Sequence, residues 1–147
     1  MDVLNPVADN KTISIVYFPM TCNLLTVGHI RCIKWLEVRY ENIIIGILTK
    51  EALKGYKDEI VSFEERKEIM EYVGRDKKVV AQNSLDPSEN IEKYKPDAIA
   101  SGDGWEKSEE EAIKKYNLVK IDIPLPKEHS VTNIIKKIQN AKTNSGT

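Results

Sequence analysis

Short β-branched runs alternate with stretches of helical period along this chain. Residues 13–18 (ISIVYF) predict a first strand, ended by Pro19. Residues 27–39 then place Ile30, Ile33, Leu36 and Val38 at roughly helical spacing. Residues 43–48 (IIIGIL) are apolar on both faces, as in a strand inside a parallel sheet. Ser62 and Glu65 form a capping box that opens a helix through Tyr72, with Ile69 and Val73 facing inward. Residues 78–81 predict a third strand, and Asp86-Pro87 starts a short helix. A strand over 97–101, a helix over 106–116, a strand over 119–123 and a helix over 130–140 complete the pattern. This alternation predicts an α/β fold: a single domain, a parallel five-stranded sheet, helices on both faces. Residues 1–12 and 141–147 read as flexible ends, leaving 13–140 as the domain.

Composition narrows the function. A length of 147 residues suits one domain. Lys and Arg number 22 against 23 Asp and Glu, a net charge of -1 that argues against a nucleic-acid partner. Cys22 and Cys32 have no CxxC context, so neither a disulfide framework nor a zinc site is expected and a reducing compartment fits. The longest apolar run, 43–48, is too short for a bilayer, and no basic-then-apolar leader opens the chain. The expectation is a cytoplasmic protein with no membrane contact.

In parallel sheets ligands gather at the carboxyl ends of strands, near a topological switch point. Gly28-His29 falls in the first helical turn after strand one, where unpaired N–H groups and the helix dipole attract anions. His29 reads equally as a phosphate donor or as a capping, partly buried imidazole. No P-loop or GxGxxG is present, so phosphate charge needs other cations: Lys50, Lys54, Lys57, Arg66 or Lys127. The three lysines 50, 54 and 57 also read as a solvated helix face, and Arg66 as a surface salt bridge. Gly102-Asp103-Gly104-Trp105-Glu106 follows strand four; Asp103 suits a ribose hydroxyl or a metal, and Trp105 a pocket wall or the core. Ser130 is a ready N-cap for the last helix, and His129 reads as a loop residue.

Together the segments MTCNLLTVGHIRCI, GILTKEALKGYK, SFEERKEI, YKPDAIASGDGW and IPLPKEHSVTNI resemble the cytidylyltransferase family of the HxGH nucleotidyltransferases. The branch associated with phosphonate metabolism and phosphoenolpyruvate mutase is the most similar. The resemblance implies a Rossmann-like domain that transfers CMP from CTP to a small phosphonate or phosphate monoester, with release of pyrophosphate. Glycerol-3-phosphate, another phospho-alcohol or a sugar phosphate stays open as acceptor, as does adenylyl transfer. It implies catalytic roles for His29, Thr26, Lys57 and Arg66. Nucleotide contacts would come from Thr21, Cys22, Gly28, Asp103, Trp105, Ser130, Val131 and Thr132, and acceptor contacts from Asn23 and Lys127. Magnesium as cofactor and a homodimer are implied as well. The chain departs from the motif at Met20, Cys22, Asn23 and Thr26, the last standing where the first histidine belongs, and Gly104 replaces an Asp. These changes leave a catalytically impaired nucleotide-binding module as a second reading.

Overall fold

The central strand carries a proline, and where that proline falls decides where the sheet opens. The computed structural model describes residues 12–126 and 130–144. Within them the chain runs β1 (Ile15–Met20), α1 (Val27–Glu37), β2 (Asn42–Leu48), α2 (Lys50–Leu53), α3 (Phe63–Gly74) and β3 (Lys78–Gln82). It continues α4 (Ser88–Tyr94), β4 (Ala98–Ser101), α5 (Lys107–Lys115), β5 (Val119–Asp122) and α6 (Val131–Asn144). The strands form one parallel sheet in the order β3-β2-β1-β4-β5. The order reverses between β1 and β4. There β1 pairs with β4 only at Val16↔Ala98 and Tyr17↔Ile99, while on its other side it stays paired with β2 as far as Met20↔Ile47. Pro19 lies within β1 and offers no N–H to a ladder. The strand therefore runs past the expected stop, paired on one side only, and a crevice opens toward β4.

Alternate residues of each strand feed opposite layers. Val16, Phe18, Ile43, Ile45 and Ile47 pack with Ile33 and Leu36 of α1 and Met70 of α3. Tyr17, Ile44, Val80 and Ile99 form the second layer, with Tyr94 of α4 and Ile113 of α5 packed on it. The buried Tyr17 hydroxyl donates to Gln82 Oε1 at 2.5 Å and accepts from Asn90 Nδ2 at 2.9 Å. A Cβ on Gly46 would stand 2.0 Å from the same hydroxyl oxygen, so this position admits glycine alone.

Several expected bounds move. The inward arc of α3 is Arg66, Met70 and Gly74, not Ile69, which is 41% exposed. The helix on which lysines 50, 54 and 57 could share a face is only the four-residue α2, capped by Thr49 Oγ1 accepting from the Ala52 N–H at 3.2 Å, and Lys54 and Lys57 lie beyond it. Helix α6 continues to Asn144, past the expected end at 140. The Ser62 cap on α3 stands as read, accepting from the Glu65 N–H at 3.2 Å. No helix among the described residues is long and apolar enough to cross a membrane.

Candidate active site

Where β1 and β4 part, a cavity of about 720 Å³ lies over the strand ends, lined by Met20, Leu48, Gln82 and Ser101. Gly28 and His29 of α1 and Ser130, Val131 and Thr132 at the head of α6 also line it. The first turns of α1 and α6 hold no acidic residue. That of α5 holds Glu109 and Glu110, and its Glu106 N–H is already taken by Glu109 Oε1 at 2.8 Å. The positive ends of α1 and α6 are thus left for an external anion, whereas α5 carries its own. Ser130 caps α6 by accepting from the Asn133 N–H at 3.2 Å, which leaves its hydroxyl proton free to donate.

His29 combines the two roles that its sequence context left open. Its Nδ1 accepts the backbone N–H of Thr26 at 3.1 Å, and the Thr26 hydroxyl lies 3.2 Å from the same nitrogen. A backbone N–H can only donate, so Nδ1 carries no proton and Nε2 does. Burial lowers the imidazole pKa; Asp103 opposes that shift and Lys57 adds to it. The side chain is both the cap of α1 and a neutral N–H donor in the cavity wall.

The second wall is the segment 54–61 after α2. Lys57 and Tyr56 line the cavity, with Lys57 Nζ 4.9 Å from the Tyr56 ring centroid. Lys50, Lys54 and Lys57 are all exposed, but Lys57 alone of the three lines the cavity. Asn23 lines the cavity too, yet its amide is spent on backbone. Nδ2 donates to the Asp58 carbonyl and Oδ1 accepts the Ile60 N–H, both at 2.9 Å.

Arg66 is a correction. It is neither a surface salt bridge nor a cavity cation but 1% exposed. Its guanidinium donates to the carbonyls of Val61 (2.8 Å), Thr21 (2.9 Å) and Leu48 (2.6 Å) and pairs with Glu59 at 2.7 Å. The amphipathic period put it on the inward arc of α3, and carbonyl ends of β1 and β2 wait there.

The third wall follows β4. Asp103 lines the cavity in a turn where Gly104 takes φ 106°, a conformation that favours glycine. Gly102 serves packing as well, since a Cβ there would meet Cys32 Sγ at 2.8 Å. Trp105 satisfies both of its readings: it packs on the second core layer, lines the cavity, and donates Nε1–H to Asp122 at 2.6 Å. Tyr56 reaches across to Glu106 Oε2 at 3.4 Å. Burial raises the Glu109 carboxyl, with the Glu106 N–H pulling the other way. The cavity wall thus brings helix amino ends and Lys57 together with the carboxylates of Asp103, Glu106 and Glu109, and Asp103 acts directly on the His29 imidazole.

Thr21 and Cys22 complete the lining at the β1–α1 turn, where Cys22 adopts φ 54°. Burial raises its thiol to about 11, so it stays protonated at neutral pH. Lys127 and His129 lie outside the described residues. Sequence reasoning passed over Arg31, Tyr56, Gln82, Glu106 and Glu109, all of which line the cavity. Arg31 had a usable signal: it stands three residues after Gly28, on the same helix face. Among the described residues no three His, Cys, Asp or Glu side chains gather as a metal site. Such a site suits only an ion brought by phosphates, because Mg²⁺ is commonly held by one or two carboxylates plus the substrate.

A switch-point cavity, two helix amino ends without acidic residues, a neutral imidazole donor and a glycine-bearing acidic turn come together on a Rossmann-like α/β domain. The chain belongs to the cytidylyltransferase-like family, whose model matches residues 17–147. Among solved structures it is similar to a lipopolysaccharide core biosynthesis protein from Thermoplasma volcanium GSS1. The TM-score is 0.66 at 19% identity, over 78% of this chain and 99% of that one. It is also similar to a bifunctional NMN adenylyltransferase/ADP ribose pyrophosphatase from Francisella tularensis, with a TM-score of 0.63 at 19% identity. That match covers 88% of this chain and spans 43% of the other. No curated protein sequence matches at a significant level.

Proposed function

We propose that the protein transfers CMP from CTP to a small phosphonate or phosphate monoester and releases pyrophosphate. The observation that carries this reading is the Thr26 N–H to His29 Nδ1 bond, which presents an Nε2–H donor beside the amino end of α1. In this reading the triphosphate lies over α1 and α6, and the nucleoside points to Asp103 and Trp105. The glycine turn that carries Asp103 and Trp105 lines the cavity and supports that orientation. Carboxylates accept ribose and amine hydrogens but repel phosphate.

An acceptor oxygen attacks the α-phosphorus in line, and the bond from that phosphorus to the pyrophosphate oxygen breaks. A phosphonate or phosphate oxygen is already anionic at neutral pH, so no proton need be removed first. Catalysis is then positioning and charge neutralisation. His29 Nε2–H and the α1 amides hold the phosphates, Thr26 adds a hydroxyl, and Lys57 offsets charge on the departing pyrophosphate. Ser130 and Thr132 at α6 donate to the same group. Magnesium brought by the nucleotide would supply further charge neutralisation, and Asp103 would be the residue to hold it. A homodimer and a cytoplasmic location belong to the same proposal.

The experiment is pyrophosphate release from CTP against a panel of aminoalkyl and hydroxyalkyl phosphonates, glycerol phosphate and sugar phosphates, each repeated with ATP. Turnover with CTP and a phosphonate supports the reading. Turnover confined to ATP reassigns the base, and release with glycerol or sugar phosphates alone reassigns the acceptor. Binding of CTP without turnover by any acceptor favours the impaired module that Thr26 motivates.

A further inference from the structure

Lys57 stands on a segment that has little packing of its own: Lys54, Gly55, Lys57, Asp58 and Ile60 are all exposed. Holding such a segment in one conformation costs backbone entropy. The N–H groups of Tyr56 and Lys57 bond the Leu53 carbonyl at 2.9 and 3.0 Å, and beyond Lys57 two buried side chains supply the restraint alternately. Asn23, 6% exposed, takes the Asp58 carbonyl and the Ile60 N–H. Arg66, 1% exposed, takes the Glu59 carboxylate and the Val61 carbonyl. Each of the four residues following Lys57 is thus held by one or the other. Both side chains are themselves anchored in the cavity floor. Asn23 belongs to the β1–α1 turn, and Arg66 bonds the Thr21 and Leu48 carbonyls at the ends of β1 and β2.

We propose that Asn23 and Arg66 form a two-point clip that positions Lys57 over the cavity; what Lys57 does there rests on the transferase reading above. Asn23 is accordingly a positioning residue, not a contact to the acceptor. The chemistry requires an amide at this point. An aspartate of the same size would still accept from the Ile60 N–H, but would set a carboxylate oxygen against the Asp58 carbonyl, with no proton to share. The departure from the family motif at Asn23 is then a working part of this chain.

The test combines hydrogen exchange with binding in Asn23→Asp, Lys57→Ala and the double variant. In Asn23→Asp, peptides covering 54–61 should exchange about tenfold faster while the sheet is unchanged, as expected of a locally released segment. Affinity for CTP with magnesium should fall about tenfold in Asn23→Asp and at least as far in Lys57→Ala. The double variant should bind no more weakly than Lys57→Ala alone, because residues acting through one another are not additive. Multiplying losses, or unchanged exchange with normal CTP uptake by the wild type, overturn the clip. Absence of CTP uptake by the wild type overturns the transferase reading and the purpose given to the clip. In that case the exchange result still shows whether Asn23 fastens the segment. If Asn23→Asp does not fold, Glu59→Gln weakens the Arg66 half from a part-exposed position and gives the same two readings.

Discussion

The backbone N–H of Thr26 donates to Nδ1 of His29 across 3.1 Å, so the residue at the N-cap of α1 orients the imidazole three positions on. The bond takes up one N–H at the amino end of α1 and fixes the imidazole tautomer in one step. Nε2–H is thereby the donor presented to the cavity.

Replacing that donor should be costly. In His29→Ala, CMP transfer is expected to fall by about 10²-fold or more, the usual loss for one preorganised donor to a reacting group. Far-UV spectra and the melting temperature should show the fold intact. A rate equal to wild type would remove His29 from the chemistry.

Thr26→His sets a second imidazole at the mouth of α1 without touching the backbone N–H on which His29 depends. If position 26 faces phosphate, CTP should bind about tenfold more tightly or turnover should rise, as for one added charge-assisted hydrogen bond. Identical affinity and rate would mean that phosphate lies elsewhere.

Burial lowers the His29 pKa in the folded chain, so the unfolded chain takes up a proton at this residue first. Stability from this source is unaffected above the ordinary value of about 6.5 and declines as pH falls from there toward the depressed folded value. Melting temperatures at about pH 7.5 and about pH 5.5 should show a larger acid loss in wild type than in His29→Asn. Equal losses would mean an imidazole open to solvent.

The core makes its own demand at Gly46. An added methyl would sit 2.0 Å from the Tyr17 hydroxyl oxygen, with the ring wedged between β2 and the Gln82–Asn90 pair. Gly46→Ala should therefore lose about 3 kcal/mol or more, the upper range for overpacking. The midpoint of urea unfolding measures this, and a midpoint within error of wild type would contradict the packing described.

The strands were legible because a run such as IIIGIL reports burial on both faces, and the helix caps because Ser62 and Glu65 act over three residues. Pro19 misled, since a proline ends a strand only where its N–H is needed, and beyond Tyr17 this strand is paired on one side. Gly28, His29 and Asp103 could be found from a helix start and a glycine turn placed at strand ends. Arg66 and Asn23 could not be read correctly. Besides Val61 and Glu59, their partners are backbone groups 18 to 45 residues away in sequence, and no local pattern encodes where a distant backbone carbonyl will stand. The same holds for the grouping of Tyr56 with Glu106, which only the closed fold brings together.

The central claim is that a nucleoside triphosphate lies over the amino end of α1 and touches His29. Calorimetric titration of wild type and His29→Ala with CTP in the presence of magnesium tests it most directly. The account predicts saturable heat for the wild type and affinity at least about tenfold weaker in the variant. Equal affinity in the two proteins, or no heat with any nucleoside triphosphate, would contradict it.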